Sequence, residues 1–149
     1  MIDSRKFAEY ILVEAKKKNV EMNLTKLQKI MFICDGTLLA YGENIIDENA
    51  RAFDYGPVYP KAYKWYKNHR NDDFSQINTE DFGYDIEKPV VKKIVNDALS
   101  HFGSWSAGQL SEWSHRQNSP WDITVKSSGM YSVINKNIMK AFFGAALHV

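Results

Sequence analysis

A glutamate and a histidine three residues apart are the first candidates for chemistry in this chain. Glu112-x-x-His115 has the spacing by which one helix presents a carboxylate and an imidazole to a metal in carboxylate-bridged bundles. Such sites need a second pair of this kind and two further glutamates, and the sequence contains no second Glu-x-x-His. We therefore expect no metal site, and we expect the ring nitrogens of His115 to bond a neighbouring loop.

Nucleophilic catalysis finds little support in the sequence. Ser111 and His115 are four residues apart, a pairing that any helix produces by chance, and no Gly-x-Ser-x-Gly elbow is present. Cys34 falls within the apolar stripe of a predicted helix, where thiols usually serve as inert packing residues. The glycines are dispersed and form no phosphate-binding loop. These patterns predict a protein that is not an enzyme and that binds no cofactor.

A group of cations and aromatic rings is the one candidate for nucleic-acid binding. Lys61, Lys64 and Lys67 recur every three residues beside Tyr63 and Trp65, a mixture that single strands favour. The rest of the chain is not basic, since its formal net charge is +1. Lysine stems beside aromatic rings also occur on ordinary solvated helix faces.

Composition is typical of one soluble globular domain, which we expect to cover residues 1–149. The chain is 44% hydrophobic and 25% charged, and its single cysteine excludes an internal disulfide. Charged residues near the N-terminus argue against a signal peptide. The longest apolar run, Ala141 to Leu147, is far shorter than the ~20 residues that a membrane span needs. We expect a cytoplasmic protein.

Hydrophobic periodicity predicts a mainly α fold with about six helices. The clearest ranges are Ser4 to about Lys18, Leu24 to about Tyr41, Lys88 to Phe102 and Ile134 to Leu147. In the second range, Asp35 lies one residue from the apolar stripe and is expected at the core boundary.

Helix starts and stops are predicted from capping residues. Ser4 is the expected N-cap of the first helix, and Thr25-x-x-Gln28 matches a capping box for the second. Gly42 is a natural stop. Ser106-x-x-Gln109 matches another capping box, and Ser119-Pro120 combines an N-cap with a proline at the first helical position.

The sharpest change of pattern lies at Gly56-Pro57. Ala52 to Tyr55 alternate like a short strand, and with the segment around Ile45-Ile46 they predict a two-stranded β ribbon before this corner. After the corner, Tyr59, Ala62, Tyr63 and Tyr66 follow helical spacing to a helix end near His69. A corner so rich in aromatic residues belongs either to the core or to a recognition surface, and periodicity leaves both open.

Three sequence blocks carry a resemblance to a known family. They are Leu24-Thr25-Lys26-Leu27-Gln28-Lys29-Ile30-Met31-Phe32, then Ala52-Phe53-Asp54-Tyr55-Gly56-Pro57-Val58-Tyr59-Pro60-x-x-Tyr63, then Leu110-Ser111-x-x-Ser114-His115-x-x-x-x-Pro120-Trp121. In this order and at these separations the chain resembles the Panacea domain, the SocA-like or GepA-like antitoxin family often described as phage-associated. That family usually has Trp where Phe53 stands, a conservative aromatic change.

The resemblance implies a mostly helical antitoxin that neutralises a protein toxin by direct contact, the toxin typically being encoded by the adjacent gene. It brings no catalytic, cofactor-binding or metal-binding residues, and it leaves open whether the chain forms a homodimer. The chain offers no room for a separate DNA-binding module. The family-motif positions, which build the fold or contact the partner, are Leu27, Gln28, Lys29, Tyr55, Gly56, Pro57, Val58, Tyr63, His115, Pro120 and Trp121.

If the motif positions build the fold, with Trp121 buried under the corner and His115 bonded to its backbone, the toxin-binding residues lie elsewhere. Exposed aromatic residues among mixed charges are typical interface residues. The candidate partner contacts are Lys61, Lys64, Trp65, Lys67 and the predicted surface loop from Asn68 to Gly83. The alternative function is nucleic-acid binding through the helix from Lys61 to Lys67.

Overall fold

The computed structural model describes residues 1–74, 77 and 82–147. The predicted mainly α class is confirmed, but this part of the chain contains eight helices rather than about six. One of the additional helices is a four-residue turn, α4. The helices are α1 (Ser4–Lys17), α2 (Leu24–Ala40), α3 (Pro60–His69), α4 (Tyr84–Glu87), α5 (Pro89–Phe102), α6 (Ala107–Ser114), α7 (Pro120–Ser128) and α8 (Lys136–Leu147).

Helix α2 is the central element of the fold. It is buried along most of its length because helices α1, α3, α5, α6 and α8 and the β hairpin all pack against it. A helix that is covered on every side must be apolar around its circumference, and α2 is. Its polar residues Lys26, Gln28, Lys29 and Asp35 are nevertheless buried, so each must be accounted for by a contact.

Helix α2 approaches α8 closely at Gly36. A Cβ atom at this position would overlap the ring of Phe143 on α8. Phe143 also meets Phe32, one turn earlier on α2, edge to face at 5.9 Å between ring centroids. The absence of a side chain at Gly36 therefore sets the distance between these two helices.

Two predicted N-caps are wrong. The α1 cap is Asp3, whose carboxylate accepts from the Arg5 amide, and Ser4 is the first helical residue. The α2 cap is Asn23, whose side chain accepts from the Lys26 amide at 2.9 Å. The expected Thr25-x-x-Gln28 capping box does not form because Gln28 is turned into the core.

The later capping predictions are confirmed. Ser106 and Gln109 form a complete capping box at the start of α6. Ser119 caps α7, with Pro120 at the first helical position. Gly42 follows the end of α2 with φ of 84°, a conformation that glycine adopts without strain.

The β ribbon is present, but its predicted pairing is wrong. Strands β1 (Arg51–Phe53) and β2 (Gly56–Val58) form an antiparallel hairpin in which Phe53 lies opposite Gly56. The Gly56-Pro57 pair is therefore inside the second strand, and the turn is Asp54-Tyr55. Ile46, expected to pair with β1, instead forms a bridge with Ile2. Residues 131–134 hydrogen-bond the outer edge of β1.

The predicted surface loop from Asn68 to Gly83 is described only in part, because residues 75, 76 and 78–81 lie outside the described residues. Two of its apolar residues, Phe74 and Phe82, pack against the core. Across the described ranges, no helix combines the length and apolarity needed to cross a membrane.

Candidate functional site at the β hairpin

The backbone of the β hairpin is held by side chains from three helices. Trp121 Nε1 donates to the Phe53 carbonyl at 2.7 Å, and His115 Nε2 lies 2.8 Å from the Asp54 carbonyl. The Ser111 hydroxyl donates to the Tyr55 carbonyl at 2.8 Å. The ring of Trp121 also packs against that of His115, 3.9 Å between centroids. The expected bond of His115 to the corner backbone is present, whereas Trp121, expected to be buried under the corner, is half-buried there.

A fourth donor reaches the hairpin from α2. Lys29 Nζ donates to the Pro57 carbonyl at 2.9 Å, and only 1% of this lysine is exposed. Its burial lowers the pKa of the amine from 10.5 to about 7. Four of the five carbonyl groups from Phe53 to Pro57 are therefore bonded by side chains of α2, of α6 and its C-cap His115, and of α7.

Gly56 is required at its position for two reasons. Its φ of 115° is strained for any residue with a side chain. A Cβ atom there would also lie 2.6 Å from Lys29 Cε and would overlap the Ser114 hydroxyl. The close approach of the hairpin to α2 and α6 therefore depends on the missing side chain.

A buried polar network connects α2 to the start of α3. The Tyr59 amide donates to Gln28 Oε1 at 2.8 Å, and the Tyr59 hydroxyl donates to Asp35 Oδ2 at 2.6 Å. Burial raises the pKa of the Asp35 carboxyl to about 6, although the Tyr59 hydrogen bond acts in the opposite direction. The expectation that Asp35 lies at the core boundary is wrong, because Tyr59 covers it.

Beside the hairpin lies a pocket of about 380 Å³. Its wall residues come from α2, the hairpin, α3 and the turn after α7. They include five motif positions and Tyr131, a residue that lies outside the motif. The lining is Thr25, Gln28, Lys29, Phe53, Asp54, Tyr55, Val58, Tyr63 and Tyr131.

The side chains at the tip of the hairpin differ sharply in exposure. Gly56, Pro57 and Val58 are buried, whereas Tyr55 is 72% exposed. Tyr131, half exposed, donates its hydroxyl to the Asp54 carboxylate at 3.1 Å. The motif therefore contains both fold-building residues and one large aromatic side chain that projects into solvent.

The remaining motif residues are mostly structural. Leu27 is in the buried core, and Pro120 is buried at the start of α7. Tyr63 is half-buried and lies 6.4 Å from Phe53 between ring centroids.

The candidate catalytic residues have packing or hydrogen-bonding roles. His115 Nδ1 lies against the Ser111 carbonyl within α6, and the Ser111 hydroxyl is bonded to the hairpin. Cys34 is fully buried, and its burial raises the pKa of the thiol well above its ordinary value. Among the described residues, no three His, Cys, Asp or Glu side chains are grouped so that they could hold a metal ion.

Of the four candidate partner contacts on α3, the three lysines are exposed and Trp65 is half-buried. Lys61 Nζ lies 3.3 Å from the Asp47 carboxylate, and the Lys61 amide donates to Glu48. Lys67 Nζ lies over the ring of Tyr63 at 5.0 Å. Lys64 is exposed. Two acidic residues, Asp47 and Glu48, therefore lie beside the first of the three lysines.

Trp65, expected to be an exposed interface residue, is half-buried instead. Its ring is stacked on His69 at 4.9 Å between centroids and packs near Phe74 at 6.2 Å. The helical pattern placed Trp65 beside the apolar stripe of α3. It could not show that Phe74, in the segment after α3, packs against the Trp65 ring.

Comparison with known proteins gives one match. The family model described as "Antitoxin SocA-like, Panacea domain" matches residues 27–122, more than half of the chain. This range includes α2 from Leu27 onward, the hairpin and the His115 and Trp121 donors. No curated protein and no solved structure shows a significant match.

Proposed function

This chain belongs to the SocA-like antitoxin family with a Panacea domain, and on that premise we propose that it neutralises a protein toxin by direct contact. It acts as a binding protein rather than as an enzyme, with residues 1–149 forming a single domain. The toxin is the product of the adjacent gene, and the pair acts in the cytoplasm of a host that carries phage-derived genes.

The observation that supports this proposal is the fixed hairpin loop with Tyr55 at its tip. Two-residue loops of short hairpins are marginally stable alone, yet here side-chain donors bond the carbonyl groups of Phe53, Asp54 and Tyr55. A loop backbone held in place before binding loses less conformational entropy on association. Tyr55 is thus an exposed aromatic residue on a fixed backbone, and aromatic residues of this type dominate interface energetics.

The experiment is co-expression of this chain with the gene adjacent to its own. The wild-type chain should restore growth that the neighbouring product inhibits, and the two proteins should co-purify as a stoichiometric complex. Tyr55→Ala should weaken the purified complex by tenfold or more, about 1.4 kcal/mol. A neighbour without toxicity, or one that forms no complex with the wild-type chain, would contradict the proposal.

Tyr84→Ala is the matched control. Tyr84 is 80% exposed, comparable to Tyr55, but it lies at the start of α4 and does not line the hairpin pocket. Its truncation removes the same side-chain atoms from the surface without changing the hairpin. Growth rescue and affinity should therefore stay at the wild-type level.

A further inference from the structure

The inner end of the hairpin pocket contains two hydrogen-bond donors whose capacity is not used. Gln28 Oε1 accepts from the Tyr59 amide, which fixes the orientation of the side-chain amide. Gln28 Nε2 is then a buried donor with no partner among the described residues. Buried donors of this kind are rare, and each one calls for an explanation.

Lys29 is the second donor. Its Nζ bonds the Pro57 carbonyl, but a protonated amine carries three hydrogens. The pKa of this amine is lowered to about 7 by burial, so a nearby anion would favour its charged form. Gln28 and Lys29 are adjacent in α2, and both line the pocket.

The chemistry of the pocket favours an occupant that accepts hydrogen bonds and carries negative charge. Gln28 and Lys29 offer donors, and Phe53, Tyr55 and Tyr63 offer aromatic walls for the apolar part of a side chain. One acidic group, Asp54, also lines the pocket, but its carboxylate accepts from the Tyr131 hydroxyl. A carboxylate on a short aliphatic stem matches this combination of groups.

We propose that this pocket receives the carboxylate of an aspartate or glutamate side chain of the partner toxin, bound by Gln28 Nε2 and Lys29 Nζ. The inference rests on the proposed function, because it names the group through which the toxin would enter the hairpin site. Gln28 is fully buried in the free chain, so the occupant must displace an aromatic wall residue to reach it. These wall residues meet through ring contacts, Phe53 to Tyr63 at 6.4 Å and Phe53 to Tyr131 at 5.2 Å between centroids.

The first test uses the isolated chain and two small probes. N-acetylglutamate amide carries only a side-chain carboxylate, and N-acetylglutamine amide is its uncharged counterpart. In NMR titrations of the isotope-labelled chain, the side-chain amide signals of Gln28 should shift saturably with the first probe and not with the second. Equal shifts with both probes, or none with either, would overturn the inference.

The second test uses the complex with the toxin. Gln28→Glu keeps the acceptor for the Tyr59 amide but replaces the unused donor by an acceptor, so the affinity for the toxin should fall by tenfold or more. Lys26→Met is the matched control, because Lys26 is a second buried lysine of α2 whose Nζ bonds the Gly103 carbonyl, away from this pocket. Its complex should match the wild type.

The outcomes separate the two proposals. If the wild-type chain binds the toxin and Gln28→Glu binds it equally well, the inference is wrong and the proposed function stands. If the wild-type chain forms no complex, the proposed function is wrong, and the inference falls with it. The NMR titration of the wild-type chain with the two probes needs no variant, so the inference stays testable even if Gln28→Glu fails to fold.

Discussion

Individual residues of the motif divide into those that hold the hairpin and those that the hairpin presents. The side chains of Ser111, His115 and Trp121 hydrogen-bond backbone carbonyl groups of the loop. These are bonds that water would otherwise supply, so their net contribution is about 1 kcal/mol each. Their larger effect is to restrict the loop to one conformation.

Lys29 makes stability depend on pH. In the folded chain the pKa of its amine is about 7, against 10.5 for an ordinary lysine. Between these values the unfolded chain binds the proton and the folded chain does not, so stability rises as pH increases from about 7 to about 10. Below pH 7 both states are protonated, and the penalty of burying the charge is present in full.

We therefore expect Lys29→Met to lack this rise. Chemical denaturation across the range from neutral to alkaline pH should give the wild-type chain a gain in unfolding free energy, a few kcal/mol at most, that Lys29→Met does not show. Lys64→Met removes an exposed lysine instead and should keep the wild-type slope. Identical slopes for the wild type and Lys29→Met would mean that the amine is hydrated in the folded chain.

The residue-scale features were only partly predictable from the sequence. The bond from His115 to the corner followed from the motif, since a histidine near a glycine-proline corner has carbonyl groups to meet. The burial of Lys29 and Asp35 did not, because their partners Pro57 and Tyr59 are about 25 residues away. Tyr131 carried no local signal for its contact with Asp54.

At the scale of elements, the close pairing of α2 with α8 depends on a small residue. Gly36→Ala would place a methyl group against the ring of Phe143, which is held by its contacts with Phe32 and Trp113. Overpacking of this kind typically costs about 1–3 kcal/mol, more than the gain in helix propensity. We expect thermal unfolding of Gly36→Ala at a lower temperature than for the wild type.

Gly108→Ala is the control for this prediction. Gly108 is also helical, but its Cβ would lie 3.8 Å from the Ser106 hydroxyl with nothing closer. Helix propensity alone then applies, and the unfolding temperature should stay equal or rise. A Gly36→Ala variant as stable as Gly108→Ala would show that α8 can move away from α2 without loss.

Element positions were predictable wherever local signals determine them. The boundaries of α5, α6 and α7 follow from Pro89, Ser106 and Ser119, which act within one turn of their own helix. The predicted strand pairing was wrong because the residue pattern allows either of two segments, Ile45-Ile46 or Gly56–Val58, to pair with β1. Gln28 failed as a capping residue because the distant Tyr59 amide competes for it.

Across the whole molecule, residues far apart in sequence meet at one place. Blocks 24–32, 52–63 and 110–121 of the motif surround the hairpin loop, although helices α4 and α5 separate the second block from the third. The sequence carried this convergence only through the family resemblance. It left open whether the corner is a core element or a recognition surface. In the structure, Gly56 and Pro57 are buried in the corner, whereas the neighbouring Tyr55 side chain is exposed and available for contact.

This combination leads to a prediction that separates fold from recognition. Trp121→Phe keeps an aromatic ring beside His115 but removes the donor to the Phe53 carbonyl. It should lower the free energy of unfolding by about 1 kcal/mol and also weaken toxin binding, because the loop loses part of its preorganisation.

Tyr55→Ala should weaken binding alone, with stability within about 0.5 kcal/mol of the wild type, as for other exposed side chains. Denaturation and affinity measurements should therefore separate the two variants. Trp121→Phe should lose both stability and affinity for the toxin, whereas Tyr55→Ala should lose affinity alone. If Trp121→Phe loses stability while binding as tightly as the wild type, the side-chain bonds to the hairpin serve the fold only, and toxin recognition does not depend on a fixed loop.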